Sequence, residues 1–139
     1  MSEIEYRNGI DLNLDQVIEL YNASTLGERR PVADREIMSA MLHHANLVVT
    51  AWDEDLLVGI ARTLSDFAYG GYLAVRASHQ RQGIGTALIQ KTREQMGPRS
   101  MLVLLSAPKA VAYYPKIGFI RHESAWILRA DEPLTISRR

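Results

Sequence analysis

Apolar positions in the first third of the chain recur at intervals of three and four residues in two separate runs. This spacing predicts one helix over residues 14–21 and a second over residues 37–45, because such positions share one helix face. Asn13 and Asp34 precede the two runs and are typical N-cap residues, whose side-chain oxygens accept hydrogen bonds from the first helical turn. The polar residues 23–31 between the runs predict an exposed loop.

Apolar and β-branched runs later in the chain predict strands. Residues 47–52 and 56–63 are separated by the polar triplet Asp53-Glu54-Asp55, a connection typical of an antiparallel hairpin. A shorter strand over residues 72–75 follows Gly70-Gly71, which we interpret as a strand-breaking pair.

The second half of the chain alternates helices with strands. A helix over residues 84–96 ends at Gly97-Pro98, and a continuous apolar run over residues 101–105 predicts a buried strand. Pro108 begins a short helix that reaches Tyr114. The remaining predicted strands are residues 4–7, 119–121 and 125–129.

The resulting element order is βααβββαβαββ, which predicts an α/β (α+β) fold. Hairpins join the early strands and helices separate the later ones, so we expect a mixed, mostly antiparallel sheet flanked by helices on both faces. The length of 139 residues suits one domain, which we place at residues 1–130, with a C-terminal tail at residues 131–139.

Composition excludes several classes of function. Lys plus Arg and Asp plus Glu both number 16, so the chain lacks the broad positive charge that holds nucleic acid or an anionic membrane. No run approaches the ~20 apolar residues of a membrane span, and we expect a cytoplasmic protein. The absence of cysteine excludes disulfides, thiolate metal sites and an acyl-cysteine intermediate. His43-His44 has no partner at metal-ligand spacing, so we expect no metal.

The stretch from Val75 to Gly85 predicts a strand, a polar turn and a helix that opens with glycines. Backbone N–H groups at such a helix start favour a phosphate, and glycines let the ligand approach. A dinucleotide fingerprint would need a third glycine where this chain has Leu88. A nucleoside triphosphate loop would need a lysine directly before Thr86, and Gly85 stands there.

Two segments resemble motifs of the GNAT superfamily of N-acetyltransferases. Val75, Gln80, Gly83 and Gly85 match the family's Val-x-x-x-x-Gln/Arg-x-x-Gly-x-Gly/Ala pattern in register. Downstream, the segment 113–119 is similar to the family's Phe-Tyr-x-x-x-Gly-Phe. The predicted element order also resembles that of the superfamily, so the resemblance covers almost the whole chain.

The resemblance implies acetyl-CoA as cosubstrate and transfer of its acetyl group to a primary amine. It implies that a backbone N–H near Val75 faces the thioester carbonyl, and that Tyr114 donates a proton or hydrogen bond to the departing thiolate. Direct attack by the amine in a ternary complex agrees with the absence of cysteine. The implied coenzyme-binding residues are Leu73, Ala74, Val75, Gln80, Arg81, Gln82, Gly83, Ile84, Gly85, Thr86 and Tyr114.

The resemblance implies an acceptor that is a small-molecule amine or a protein amino group, with the loop after the first helix forming one wall of its site. The residues of that loop available for acceptor binding are Thr25, Glu28, Arg29 and Arg30. Three residues are candidates for the general base by element position alone, and the sequence does not choose among them: Glu28, Asp34 and Asp66. Members often form homodimers, and a homodimer is therefore an expectation.

The chain departs from the family pattern in three places, one of which is Pro115 directly after the motif tyrosine, where it is expected to end the helix at Tyr114. The other two bear on the function. Ala107 stands where many members have an asparagine, seven residues before the motif tyrosine, and the strand over residues 72–75 is short. These departures keep an alternative function open, in which the chain is a non-catalytic acyl-CoA-binding or regulatory module with the same fold.

Overall fold

The computed structural model of the protein describes residues 3–24, 32–77, 83–106 and 108–136, with residues 72–77 described by their backbone. Contacts between Cα atoms divide the chain into two compact units, Met1–Ala107 and Pro108–Arg139, and each is described by itself. The elements of the first unit are β1 (Ile4–Asn8), α1 (Leu14–Ala23), α2 (Arg35–His43), β2 (Leu47–Asp53), β3 (Leu56–Ser65), β4 (Gly70–Ala77), α3 (Ile84–Met96) and β5 (Met101–Val103). The second unit holds a 3₁₀ turn (Pro108–Ala110) and α4 (Tyr113–Lys116).

The five strands form one sheet in the order β1-β2-β3-β4-β5. Every neighbouring pair is antiparallel except β4 and β5, which are parallel. The predicted hairpin is confirmed, since β2 and β3 are joined by a tight turn in which Glu54 has a φ of 55°. The sheet is therefore mixed and mostly antiparallel, as predicted.

Helices α1 and α2 cover one face of the sheet and supply the main core. Val17, Leu20 and Tyr21 of α1 and Met38 of α2 are buried against strand residues that include Ile60. The predicted N-caps are confirmed for both helices. Asn13 accepts a hydrogen bond from Gln16 N–H, and Asp34 accepts one from Ile37 N–H, each at 3.2 Å. Burial of these apolar side chains is the main source of stability on this face.

Helix α3 packs on the opposite face of the sheet, since Gly59, next to Ile60 in β3, lies beneath it. A Cβ atom at Gly59 would lie 2.9 Å from Cγ2 of Ile84 and 3.0 Å from Cδ1 of Leu88. At the other end of α3, a Cβ at Gly71 would lie 2.5 Å from Cε of Met96. Glycine lets the helix approach the strands this closely without any neighbour moving, and overpacking such contacts costs about 1–3 kcal/mol.

The interpretation of Gly70-Gly71 as a strand-breaking pair before a short strand was wrong, because both residues lie in β4. Glycine at position 71 makes room for Met96 rather than breaking the strand. The strand is therefore eight residues long instead of four. The strand that precedes the turn at Gly83 is therefore not short, in contrast to the prediction from the sequence.

Three other predictions differ from the structure. The run over 101–105 is not a buried strand, since β5 ends at Val103 and Met101, Val103 and Leu105 are about half exposed. Residues 119–121 and 125–129 are not strands among the described residues, where Ile120 and Trp126 are more than nine-tenths exposed. Strand propensity without a partner strand or burial does not stabilise a strand.

The helix predicted from Pro108 to Tyr114 is two separate elements, the 3₁₀ turn and α4. Pro115 lies within the first turn of α4, where its missing N–H costs nothing because that turn has no intrahelical acceptors. Within the part of the chain that the structure describes, no helix has both the length and the apolar content needed to cross a membrane.

Candidate active site

Strand β4 uses its two edges differently. Along one edge it pairs with β3 over its whole length, from Gly71 opposite Ser65 to Ala77 opposite Gly59. Along the other edge, its pairing with β5 covers only Gly70, Gly71 and Tyr72. In the described residues, the backbone edge from position 73 to position 77 therefore has no partner strand.

The predicted site residues on β4 lie along this unpaired edge. Leu73, Ala74 and Val75 follow the last pair with β5, and Val75 is opposite Ala61 of β3. In a strand with one unpaired edge, alternate residues direct N–H and C=O groups away from the sheet. An extended ligand can add to such an edge through main-chain hydrogen bonds.

Helix α3 begins six residues after β4 ends, with Gly83 as its N-cap. Gly83 has a φ of 72° and ψ of 11°, the left-handed conformation that glycine adopts without strain. A Cβ atom there would meet no atom of the described residues within 4 Å, so these residues leave space at this position. The first turn contains no acidic residue, and the positive end of a 13-residue helix faces an approaching anion without a competing carboxylate.

The other predicted coenzyme-binding residues are placed as follows. Gly85 and Thr86 lie in the first turn of α3, next to the Gly83 cap. The side chain of Ile84 is 1% exposed and packs over Gly59, so only its backbone is available to a ligand. Outside the described residues lie Gln80, Arg81, Gln82, Thr25, Glu28, Arg29, Arg30 and Ala107.

Gly59 is a residue that the sequence reasoning missed. It holds no ligand, but it lets Ile84 at the start of α3 approach the sheet and so fixes where the helix begins. The signal was present, since a glycine inside an apolar β-branched run often marks close approach of another element. Its importance depends on a contact with a residue 25 positions later, which spacing does not reveal.

Tyr114 lies on α4, in the second unit, and is partly buried. Its ring meets Tyr113 and Phe119 edge-on, with centroid distances of 5.3 and 5.4 Å. Gly118, with a φ of 105°, turns the chain so that Phe119 N–H donates to the Tyr114 carbonyl at 3.0 Å. The Gly-Phe pair thus fixes the position of the tyrosine.

Two of the three carboxylates considered as a general base have structural roles. Asp34 caps α2. Asp66 Oδ1 accepts backbone N–H groups from Ala68, Tyr69 and Gly70 at 2.9, 2.8 and 3.1 Å. These hydrogen bonds, Tyr69 first, lower the pKa of Asp66, which makes it a weaker base. The third candidate, Glu28, lies outside the described residues.

Comparison with known proteins identifies the family. The acetyltransferase (GNAT) domain family matches residues 21–127, which is more than half of the chain. The chain belongs to the GNAT acetyltransferase family. The GNAT motifs noted in the sequence fall within or beside the matched region, and the unpaired edge of β4 lies inside it. No curated protein matches the sequence.

Solved structures agree on the GNAT fold. A probable acetyltransferase from meticillin-resistant Staphylococcus aureus has a TM-score of 0.75 and 20% identity, over 91% of this chain and 99% of its own. An aminoglycoside N-acetyltransferase in complex with CoA has a TM-score of 0.69 and 15% identity, over 94% and 97% of the two chains. An aminoglycoside acetyltransferase from an uncultured soil metagenomic sample, in complex with sisomicin, scores 0.69 with 19% identity, over 94% and 97%.

The Asp66 hydrogen bonds predict a pH-dependent contribution to stability. Because folding lowers the pKa of Asp66, its carboxylate stabilises the β3–β4 loop above the ordinary pKa of about 3.8 and loses this effect as pH falls through the folded value. Asp66→Ala should therefore lower Tm at pH 7, and the difference from the wild type should shrink toward pH 3. Thermal unfolding from pH 7 to pH 3 measures this, with Asp11→Ala as the control. A difference that stays constant with pH would contradict the role of the carboxylate.

Proposed function

We propose that this GNAT protein transfers the acetyl group of acetyl-CoA to a primary amine. The observation that carries the proposal is that the unpaired edge of β4 ends at Ala77, opposite Gly59, and that Ile84 at the start of α3 packs over this same glycine. An extended amide-containing chain that ends in a pyrophosphate, as in CoA, needs both features side by side. The solved aminoglycoside N-acetyltransferase in complex with CoA shares this fold.

The chain's own groups fit the parts of that ligand. The amide-bearing arm adds to β4 at positions 73 to 75, where main-chain hydrogen bonds replace those of a strand. The pyrophosphate lies at the first turn of α3, where Gly83 adds no side chain and no carboxylate repels it. In this arrangement the backbone N–H near Val75 donates to the thioester carbonyl and stabilises the negative charge that develops there.

The remaining steps follow from the absence of a cysteine nucleophile. The amine attacks the thioester carbon directly, the C–S bond breaks, and the acetyl group moves to nitrogen. The phenol of Tyr114 donates its proton to the departing thiolate. A base accepts the excess proton of the amine. Its two candidates are a carboxylate of the 23–31 loop and water.

The alternative function, a non-catalytic acyl-CoA-binding module, loses one of its two supports. The strand before the glycine turn is eight residues long and leaves a five-residue edge for the ligand. The absence of the family asparagine at Ala107 is the support that remains. Release of free CoA thiol upon mixing the protein, acetyl-CoA and a panel of amines decides between the two functions, because only an enzyme releases thiol in proportion to acetylated amine.

The Gly83 cap makes a prediction about coenzyme binding. Gly83→Val should raise the Kd for acetyl-CoA at least about tenfold, because a branched side chain fills the space open to the pyrophosphate and is strained at this φ. Gly9→Val is the matched control, since Gly9 also has a positive φ and open space but lies after β1. Both variants should lose stability, and only Gly83→Val should lose binding in calorimetric titration. Full affinity in folded Gly83→Val would remove the pyrophosphate from this turn.

Tyr114 makes a prediction about turnover. Tyr114→Phe should lower kcat at least about tenfold while the Kd for acetyl-CoA changes little, because the phenyl ring keeps the packing and loses the proton donor. Tyr113→Phe, one residue away on the same helix, is the control and should keep the wild-type kcat. Steady-state thiol release measures both variants. An unchanged kcat in Tyr114→Phe would remove this hydroxyl from the mechanism.

A further inference from the structure

Arg62 of β3 is a partly buried cation without an anionic partner among the described residues. Its Nη1 donates to the carbonyl of Met41 in α2 at 3.5 Å, and its Nε is buried with no hydrogen-bond partner in the same part of the chain. Among the described residues, no carboxylate lies within ion-pair distance of its guanidinium. Charged groups withdrawn from water are expensive unless they are paired, so this arrangement favours an anion from outside the chain.

The position of Arg62 in the sheet limits where that anion binds. Arg62 shares its face of β3 with Ile60 and Leu64, on the side covered by α1 and α2. Along this face, Ile60 is 1% exposed and Leu64 is 45% exposed. Arg62 therefore stands at the rim of the helical cover, where the buried core ends and the sheet face opens to solvent.

The open face beyond Arg62 is apolar and continues across the sheet. Leu64 is in register with position 72 of β4, which pairs with Val103 of β5. Val103 is 49% exposed and Met101 is 50% exposed. A molecule bound here therefore meets apolar side chains next to one unpaired guanidinium.

Arg62 is also next to the place where acetyl transfer is proposed. It pairs with Ala74, one residue before Val75, across adjacent strands whose Cα atoms are about 4.5–5.5 Å apart. Its face is opposite to the face on which α3 packs over Gly59, so the pyrophosphate at the start of α3 is not the anion that it meets. The other phosphate of CoA belongs to the same nucleotide as the pyrophosphate and so stays with it at the α3 end, which leaves the acceptor as the source of an anion at Arg62.

We propose that Arg62 determines acceptor specificity by binding a carboxylate on an acceptor that also carries the reacting amine and an apolar body, the chemistry of an apolar amino acid. This proposal rests on the proposed acetyl transfer. The guanidinium pairs with the carboxylate through charge-assisted hydrogen bonds, which compensate its positive charge. A polycationic acceptor such as an aminoglycoside has no group to offer Arg62.

Matched amine pairs that differ only in the carboxylate test the proposal on the full chain. Leucine is compared with 3-methylbutylamine and phenylalanine with 2-phenylethylamine, with sisomicin as the polycationic arm. The wild type should acetylate the amino acids with a kcat/KM at least about tenfold above those of their decarboxylated partners. Equal or inverted preference would overturn the role of Arg62, while thiol release with the plain amines would leave the proposed function standing. No thiol release with any acceptor would refute the proposed function itself.

Variants separate specificity from structure. Arg62→Gln should erase the preference through a higher KM for the amino acids, with kcat/KM for the plain amines and the Kd for acetyl-CoA changed less than about threefold. Arg62→Lys should restore part of the preference, because it keeps the charge and loses the planar fork. An equal fall for both members of each pair, or weaker acetyl-CoA binding alone, would mean that Arg62 only caps α2 or meets the coenzyme. If Arg62→Gln fails to fold, the wild-type preference and Arg62→Lys decide.

Discussion

The close packing of α3 on the sheet is the constraint on which the rest of the structure depends. Glycine at positions 59 and 71 removes the Cβ atoms that would collide with Ile84 and Met96 at the two ends of the helix. Because α3 is held at both ends, the position of its first turn relative to β4 is set by core packing. Steric fit in the core thereby fixes the direction of the backbone N–H groups in the first turn of α3. Side chains of that turn are not needed to orient them.

The second determinant is the uneven pairing of β4. Full pairing with β3 anchors the strand, and brief parallel pairing with β5 leaves the other edge open from position 73 onward. An unpaired edge is normally a liability, since it invites other strands to add to it. In the proposed function the same edge supplies the main-chain donors and acceptors for an extended ligand, in a chain without cysteine or a described cluster of metal-ligating side chains.

The sequence predicted those elements whose signals are local. Helices α1 and α2, their Asn13 and Asp34 caps, and the β2–β3 hairpin follow from periodicity, cap chemistry and turn residues, which act over a few positions. The bounds predicted for α3 agree with the structure because Gly83 and Gly97 flank the helix. The start of α3 at Gly83 was predictable because its signal, a glycine directly before the helix, is also local.

The errors arise where distant contacts decide the outcome. Gly71 lies in a strand through its pairing with Ser65 and Leu102, and Met96, 25 residues later, packs where its side chain would be. The apolar residues of the 101–105 run are half exposed, since a continuous apolar run does not reveal which neighbours cover it. In the site, the role of Gly59 depends on the packing of α3, and the role of Arg62 depends on where the cover of α1 and α2 ends. Neither feature can be read from residue spacing in the sequence. Asp66 is a candidate base from its position in the sequence, but its carboxylate accepts three backbone N–H groups of its own loop.

Hydrogen exchange of the backbone amides, measured with and without saturating CoA, tests most directly whether the open edge of β4 and the start of α3 form one site. The account predicts slower exchange upon CoA binding in two places, along positions 73 to 77 and in the first turn of α3. It predicts little change in β1 and β2, which lie at the far side of the sheet. Binding of CoA without added protection in β4 and at the start of α3 would contradict the account.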